Sequence, residues 1–244
     1  MRSLVFLAGC LLISTLQQSF AGSHQSRNLL AVSWQSAFCE TRPRKPECRN
    51  RTKKLYTARN FALHGLWPQP RGNDYCGVSD RLIDIDKSGR WSRLPRLELH
   101  EKIRKTLNTA MPGMRSDLQR HEWIKHGTCF SKKPDKYYAA SLILLIQLNK
   151  SNVARYFERN IGKFIRADAI RSEVDKAFGN GAGDRVEIRC KKVNGRKLIT
   201  ELWIELNGSI KKGTKLGDLM RQAKRRTRGC NGGIVDPVGI QGRG

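Results

Sequence analysis

Four stretches of the chain carry the hydrophobic signature of strands. "LLAVSW" (29–34) is a short apolar run with the pattern of a buried strand. "FALHGLWP" (61–68) has strand composition and is closed by Pro68, which cannot donate to a ladder. "RVEIRC" (185–190) and "KLITELWIEL" (197–206) alternate apolar with polar positions, and "VNG" between them marks a turn.

Elsewhere the apolar period is helical. "LPRLELHEKIRKTL" (94–107) predicts a helix that "MPG" (111–113) stops. Ser116 or Asp117 is placed to cap the next one. "DKYYAASLILLIQLNK" (135–150) is the clearest helix, with Asp135 early and Lys150 late, as the macrodipole favours. "ADAIRSEVDKAF" (167–178) predicts another, ended by "GNGAG" (179–183), which lacks phosphate-loop spacing. Residues 41–54 and 68–77 read as loops, and the basic, glycine-rich tail 211–244 as irregular. No repeat or linker interrupts the pattern. The expectation is one α+β domain over residues 22–244.

Residues 1–21 read as a secretory signal: Arg2, an apolar run (4–16) too short to span a bilayer, and "SFA" ending at Ala21. "LAGC" (7–10) resembles a lipoprotein cleavage box, but the apolar run continues past Cys10. "AASLILLIQL" (139–148) is also too short to cross a membrane, so no transmembrane segment is expected. Removing Cys10 leaves six cysteines, an even number that suggests disulfides in an exported chain. Spacing alone leaves their pairing open, and no C-x-x-C pair is present.

Charge narrows the partners. The chain has 47 Lys+Arg against 21 Asp+Glu, a formal net charge of +26. Such an excess repels itself and points to a polyanion, either nucleic acid or an anionic membrane surface.

"HEWIKHGTC" (121–129) concentrates the candidate chemistry. It differs from the zinc motif H-E-x-x-H, because His126 is five residues from His121. On a regular helix those two would be turned about 140° apart, which disfavours a two-histidine zinc clamp. The pairs expected to share a face are Glu122 with His126 and His121 with Lys125. A carboxylate beside an imidazole suits general acid–base work, and Lys125 supplies charge for an anionic transition state. A solvated helix face with incidental pairs is the plainer alternative.

A second cluster, "ALHGLWP" (62–68), puts His64 inside an apolar strand. Alone it would read as a core histidine. Gly65 allows close backbone approach, and Trp67 offers a face for an unpaired base. Two imidazoles facing one phosphodiester would suffice to cleave RNA without metal.

These two segments, in this order, resemble the signature segments of the ribonuclease T2 family, residue for residue. "AVSWQSAFC" (31–39) is similar to the family's first strand, particularly in bacterial periplasmic members, so the likeness covers most of residues 29–130. The resemblance implies an antiparallel sheet backed by helices, no cofactor or metal, and endonucleolytic cleavage through a 2′,3′-cyclic phosphate with little base preference. It implies His126 as general base, His64 as general acid, Glu122 and Lys125 as phosphorane stabilisers, His121 on the phosphate and Trp67 against a base. It also implies disulfides Cys76–Cys129, Cys190–Cys230 and Cys39–Cys48. After Trp67 and Pro68 the chain has Gln69 and Pro70 where some relatives place an acidic residue, and Tyr75 is the candidate second stacking group.

The expectation is therefore an exported, periplasmic or extracellular endoribonuclease acting on RNA as a monomer without an obligate protein partner. The alternative is a cationic exported RNA-binding or membrane-active protein with secondary or lost catalysis. Basic clusters Arg42–Lys54 and Arg221–Arg228 are candidates for contact with RNA beyond the cut site.

Overall fold

The computed structural model describes residues 27–49 and 51–239; the segment read as a secretory signal lies outside them. Strand β1 (Arg27–Ser33) is followed by α1 (Gln35–Thr41), β2 (Ala62–Pro68), α2 (Asp80–Lys87), α3 (Glu101–Ala110), α4 (Leu118–Glu122) and α5 (Thr128–Phe130). Then come α6 (Pro134–Lys150), α7 (Asn152–Arg159), β3 (Phe164–Arg166), α8 (Ala167–Phe178), β4 (Val186–Val193), β5 (Arg196–Asn207), α9 (Leu216–Arg221) and β6 (Gly232–Ile234).

The strands form one sheet in the order β2-β1-β5-β6-β3, with β4 also paired to β5. The pairings are antiparallel except between β5 and β6, which run parallel at Leu198 and Ile234. The expected antiparallel sheet is thus mixed at one edge. The tail read as irregular supplies both α9 and β6, and a parallel pair needs such a crossover.

One face of the sheet is the core. Leu30 and Val32 of β1 and Leu202 and Ile204 of β5 bury against Tyr137, Leu144, Leu145 and Leu148 of α6 and Phe157 of α7. The opposite face carries Leu29, Ala31 and Ser33, in register with Glu205, Trp203 and Glu201 of β5. That face is where the polar chemistry collects.

Local differences from the sequence pattern have physical reasons. β1 ends at Ser33 rather than running on, because Trp34 is anchored: its indole donates to the Asp236 carbonyl at 2.8 Å and its amide to Thr200 at 2.8 Å. Helix α3 starts only at Glu101; residues 94–100 form no helix or strand, and Leu97 and Leu99 pack against the core. Asp117 holds the expected N-cap position of α4 but has φ 61° and makes no capping bond; it pairs instead with Arg120 at 3.1 Å. The β4–β5 turn is as its sequence suggests, with Asn194 and Gly195 at φ 49° and 78°. Three disulfides join Cys39 to Cys48, Cys76 to Cys129, and Cys190 to Cys230.

Candidate active site

Each histidine segment departs from ideal geometry by one residue. In β2, Gly65 pairs with Ala31 and Leu63 with Val32, so His64 is the extra residue of a β-bulge. A regular strand sends residues three apart to opposite faces. The bulge lets Leu63 and Leu66 both enter the core while His64 and Trp67 both face the cleft.

The helix has the corresponding irregularity. After α4 the backbone widens into a π-helical turn, Trp123–Gly127, before α5. Its i→i+5 bonding accommodates one more residue than an α-turn. Freed carbonyls find other partners: Thr128 Oγ1 donates to Ile124 at 3.0 Å, and the Tyr75 amide to Lys125 at 2.8 Å. Gly127 permits the turn, since a Cβ there would lie 2.4 Å from the Trp123 ring. The rings of His121 and His126 consequently come within 6.3 Å, centroid to centroid. The expectation that they diverge assumed a regular helix and is corrected here. Among the described residues, no group of three or more His, Cys, Asp or Glu is placed to hold a metal ion.

His64, Trp67, His121, Glu122, Lys125 and His126 line one cleft of about 620 Å³. Trp67 contacts two of the imidazoles, its ring 5.2 Å from His64 and 5.4 Å from His126. Its indole nitrogen donates to Glu122 Oε2 at 2.8 Å. Tyr75 does not line this cleft: its hydroxyl donates to Asp86 Oδ2 at 2.8 Å. Gly65 does allow a close approach, but by Glu122 rather than a ligand. A Cβ on Gly65 would sit 1.9 Å from Glu122 Oε2.

The carboxylates are distributed differently from the i,i+4 expectation. His126 Nδ1 faces Asp74 Oδ1 at 3.0 Å, without hydrogen-bond alignment, and Glu122 faces His64 Nε2 at 3.5 Å. His121 is held by Asp86, at 2.8 and 2.9 Å from its Nδ1, and stacks on Trp91 at 4.5 Å. The strongest contact on His64 is to Glu201 of β5: Nδ1 to Oε1, 2.6 Å. Ser33 and the Trp203 indole donate to that same carboxylate at 3.3 and 2.9 Å.

These surroundings drive the imidazoles apart in charge. Burial pulls the His64 pKa down, but the charge and hydrogen bond of Glu201, with the charge of Glu122, outweigh both burial and Lys125 and raise it to about 9. Burial lowers His126 to about 2, reinforced by the positive charges of Lys125, His121 and His64. Burial holds Glu122 above the ordinary carboxylate range, against the pull of His64, His121, the Trp67 bond and Lys125. Glu201 lies below that range, because His64, Trp203 and Ser33 together overcome its burial.

Beyond the two motifs, the cleft wall includes Asp74, Arg189, Trp203 and Arg226. Sequence reasoning missed Asp74, Arg189, Trp203 and Glu201, whereas Arg226 belongs to the basic tail cluster it had singled out. The alternation Glu201-Leu202-Trp203-Ile204-Glu205 did carry a signal, because it puts two glutamates and a tryptophan on one strand face. Within the basic tail cluster, Arg221, Arg225, Arg226 and Arg228 are already paired with Asp218, Asp184, Glu187 and Asp168 respectively.

A cleft in which a strand and a helix each present imidazole, with lysine and buried carboxylate between them, belongs to a phosphodiester-cleaving enzyme. The model of the ribonuclease T2 family matches residues 26–217, and the chain belongs to that family. Ribonuclease I of Escherichia coli (strain K12) is 29% identical over 201 residues, 74% of each chain. Ribonuclease S-6 of Nicotiana alata is 35% identical over 111 residues, 42% of each. RNase NT, solved in complex with 5′-AMP, shares the fold at TM-score 0.55 and 19% identity, over 87% of this chain and 98% of that one. Actibind, a T2 ribonuclease, aligns at TM-score 0.52 and 14% identity over 87% of each. The chain is a metal-independent, T2-type endoribonuclease, and the alternative of a cationic binding or membrane-active protein is not favoured.

Proposed function

We propose that the cleft cleaves single-stranded RNA by paired acid–base catalysis, with His126 as base and His64 as acid. The opposite displacement of the two imidazoles carries this reading: one is neutral and the other charged at neutral pH. His126 takes the proton from the 2′-OH as that oxygen attacks phosphorus. His64 gives its proton to the departing 5′-oxygen, and a 2′,3′-cyclic phosphate remains. Hydrolysis runs the roles in reverse: neutral His64 takes a proton from water, and charged His126 returns one to the 2′-oxygen.

Lys125 and Glu122 stabilise the phosphorane, Lys125 by charge and Glu122 by its contacts to His64 and His121. His121, oriented by Asp86 and Trp91, binds the phosphate. Trp67 stacks against a base. A smaller hollow beyond His64, lined by Phe38, Arg42, Lys45 and Trp91, is placed for the downstream nucleotide that departs with the 5′-oxygen. Base preference is low, since stacking on Trp67 is open to every base.

The same reading makes the protein an exported monomer. Its three disulfides suit an oxidising compartment, periplasmic or extracellular. Among the described residues no helix is long and apolar enough to cross a membrane.

The test uses the mature, disulfide-intact chain. It should cut RNA in excess EDTA, leave DNA intact for want of a 2′-OH, and lose activity in His64→Ala and in His126→Ala. Full activity in both variants would end the assignment.

A further inference from the structure

A second hollow, of about 910 Å³, adjoins the cleft and shares Pro68 and Gln69 with it. Its lining mixes polar and apolar groups, the apolar ones including Phe130, Ile143 and Ile210. Its basic residues are Arg27, Lys136, Lys211 and Lys212, and no Asp or Glu lines it. Separate parts of the fold build it: the start of β1, the end of β2 with the loop after it, α5, α6 and the loop after β5.

The lysines differ from the arginines of the tail cluster, which are occupied by carboxylates. Lys136, Lys211 and Lys212 are exposed, and none has an ion-pair partner among the described residues. Three uncompensated cations beside apolar side chains complement a strand that alternates phosphate with base.

We propose that this hollow is an accessory RNA subsite for the strand upstream of the cut, with Lys136, Lys211 and Lys212 on its phosphates. The proposal rests on the acid–base reading above, which fixes direction. His64 serves the 5′-oxygen, and that oxygen carries the downstream strand. The hollow opens from Pro68, the last residue of β2, and Gln69 after it, beyond Trp67 along the chain from His64. A strand lying across the cleft therefore enters it on the upstream side. Continuity with the cleft and the sign of the charge select RNA over other occupants.

The experiment compares the wild-type chain with the triple variant Lys136→Gln/Lys211→Gln/Lys212→Gln. Affinity is measured for oligonucleotides carrying a 2′-deoxy sugar at the cut position, so binding is read without chemistry. One probe is extended three nucleotides upstream and another three downstream; cleavage of an unextended dinucleotide is the control for the active site. The triple variant should cut the dinucleotide like wild type and bind the downstream probe unchanged. It should bind the upstream probe about tenfold more weakly, with the salt slope of log K reduced by roughly 2, three contacts at about 0.7 each for a single strand. Equal affinity of both proteins for the upstream probe would overturn the subsite. So would equal weakening on both probes, which marks a diffuse field. Unchanged RNA binding with lost binding to phosphatidylserine vesicles would give the hollow to an anionic surface instead. Failure of the catalytic reading would show separately, as activity retained in the His64 and His126 variants.

Discussion

His64 Nδ1 and Glu201 Oε1 lie 2.6 Å apart across a separation of 137 residues. This pair sets the protonation state of the acid. Glu201→Gln keeps the shape and removes the charge. In wild type, kcat/KM should persist up to about pH 9 and fall as His64 loses its proton there. In the variant that alkaline limb should move down toward the ordinary histidine value of about 6.5. The linkage has the same sign: His64 is raised on folding, so its stabilising contribution is full below about pH 6.5 and lost as pH rises through about 9. A pH profile on a dinucleotide, with NMR titration of His64, reads both. An unmoved limb would remove Glu201 from this role.

The two imidazoles act on one proton-transfer sequence, so their loss should not add. His64→Ala and His126→Ala should each lower kcat by roughly 10²–10⁴. The double variant should be little worse than the weaker single one. Rates multiplying across the two variants would mean independent functions. Since His126 titrates at about 2, the acid limb above that pH should belong to other groups and survive any change confined to His126 basicity.

Gly65→Ala places a methyl on top of Glu122 Oε2 and within 2.6 Å of the Trp67 indole nitrogen. Overpacking of this kind costs about 1–3 kcal/mol. Chemical denaturation should show that loss, and kcat should fall with it because Glu122 and Trp67 are both displaced. Wild-type activity in this variant would show that neither position matters to the reaction.

Asp86 is buried, touches His121 and accepts from Tyr75. If His121 holds phosphate in ground and transition states alike, Asp86→Asn should raise KM and leave kcat nearly unchanged. A fall in kcat at constant KM would move His121 to the transition state. Steady-state kinetics on a dinucleotide separates the two.

Much of this was legible from residue pattern. Residues 167–178 form the helix their period predicted, and 197–206 the strand. Both motifs line the cleft together. What escaped has a common cause. Glu201 reaches His64 only through β1, the strand between them, and a spacing of 137 residues leaves no local trace. Asp74 comes to His126 because its loop is tied to the helix by Cys76–Cys129 and the Tyr75 amide. The i,i+4 rule paired Glu122 with His126 and failed, because it presupposes an ideal helix and this one is wound wider at that point.

The bulge at His64 and the wide turn before His126 bear on transplantation. Copied onto an idealised hairpin and an idealised helical rod, the same letters would aim Trp67 away from its neighbouring imidazole and splay the other two rings apart. A scaffold meant to host this chemistry has to import the two irregularities along with the amino acids.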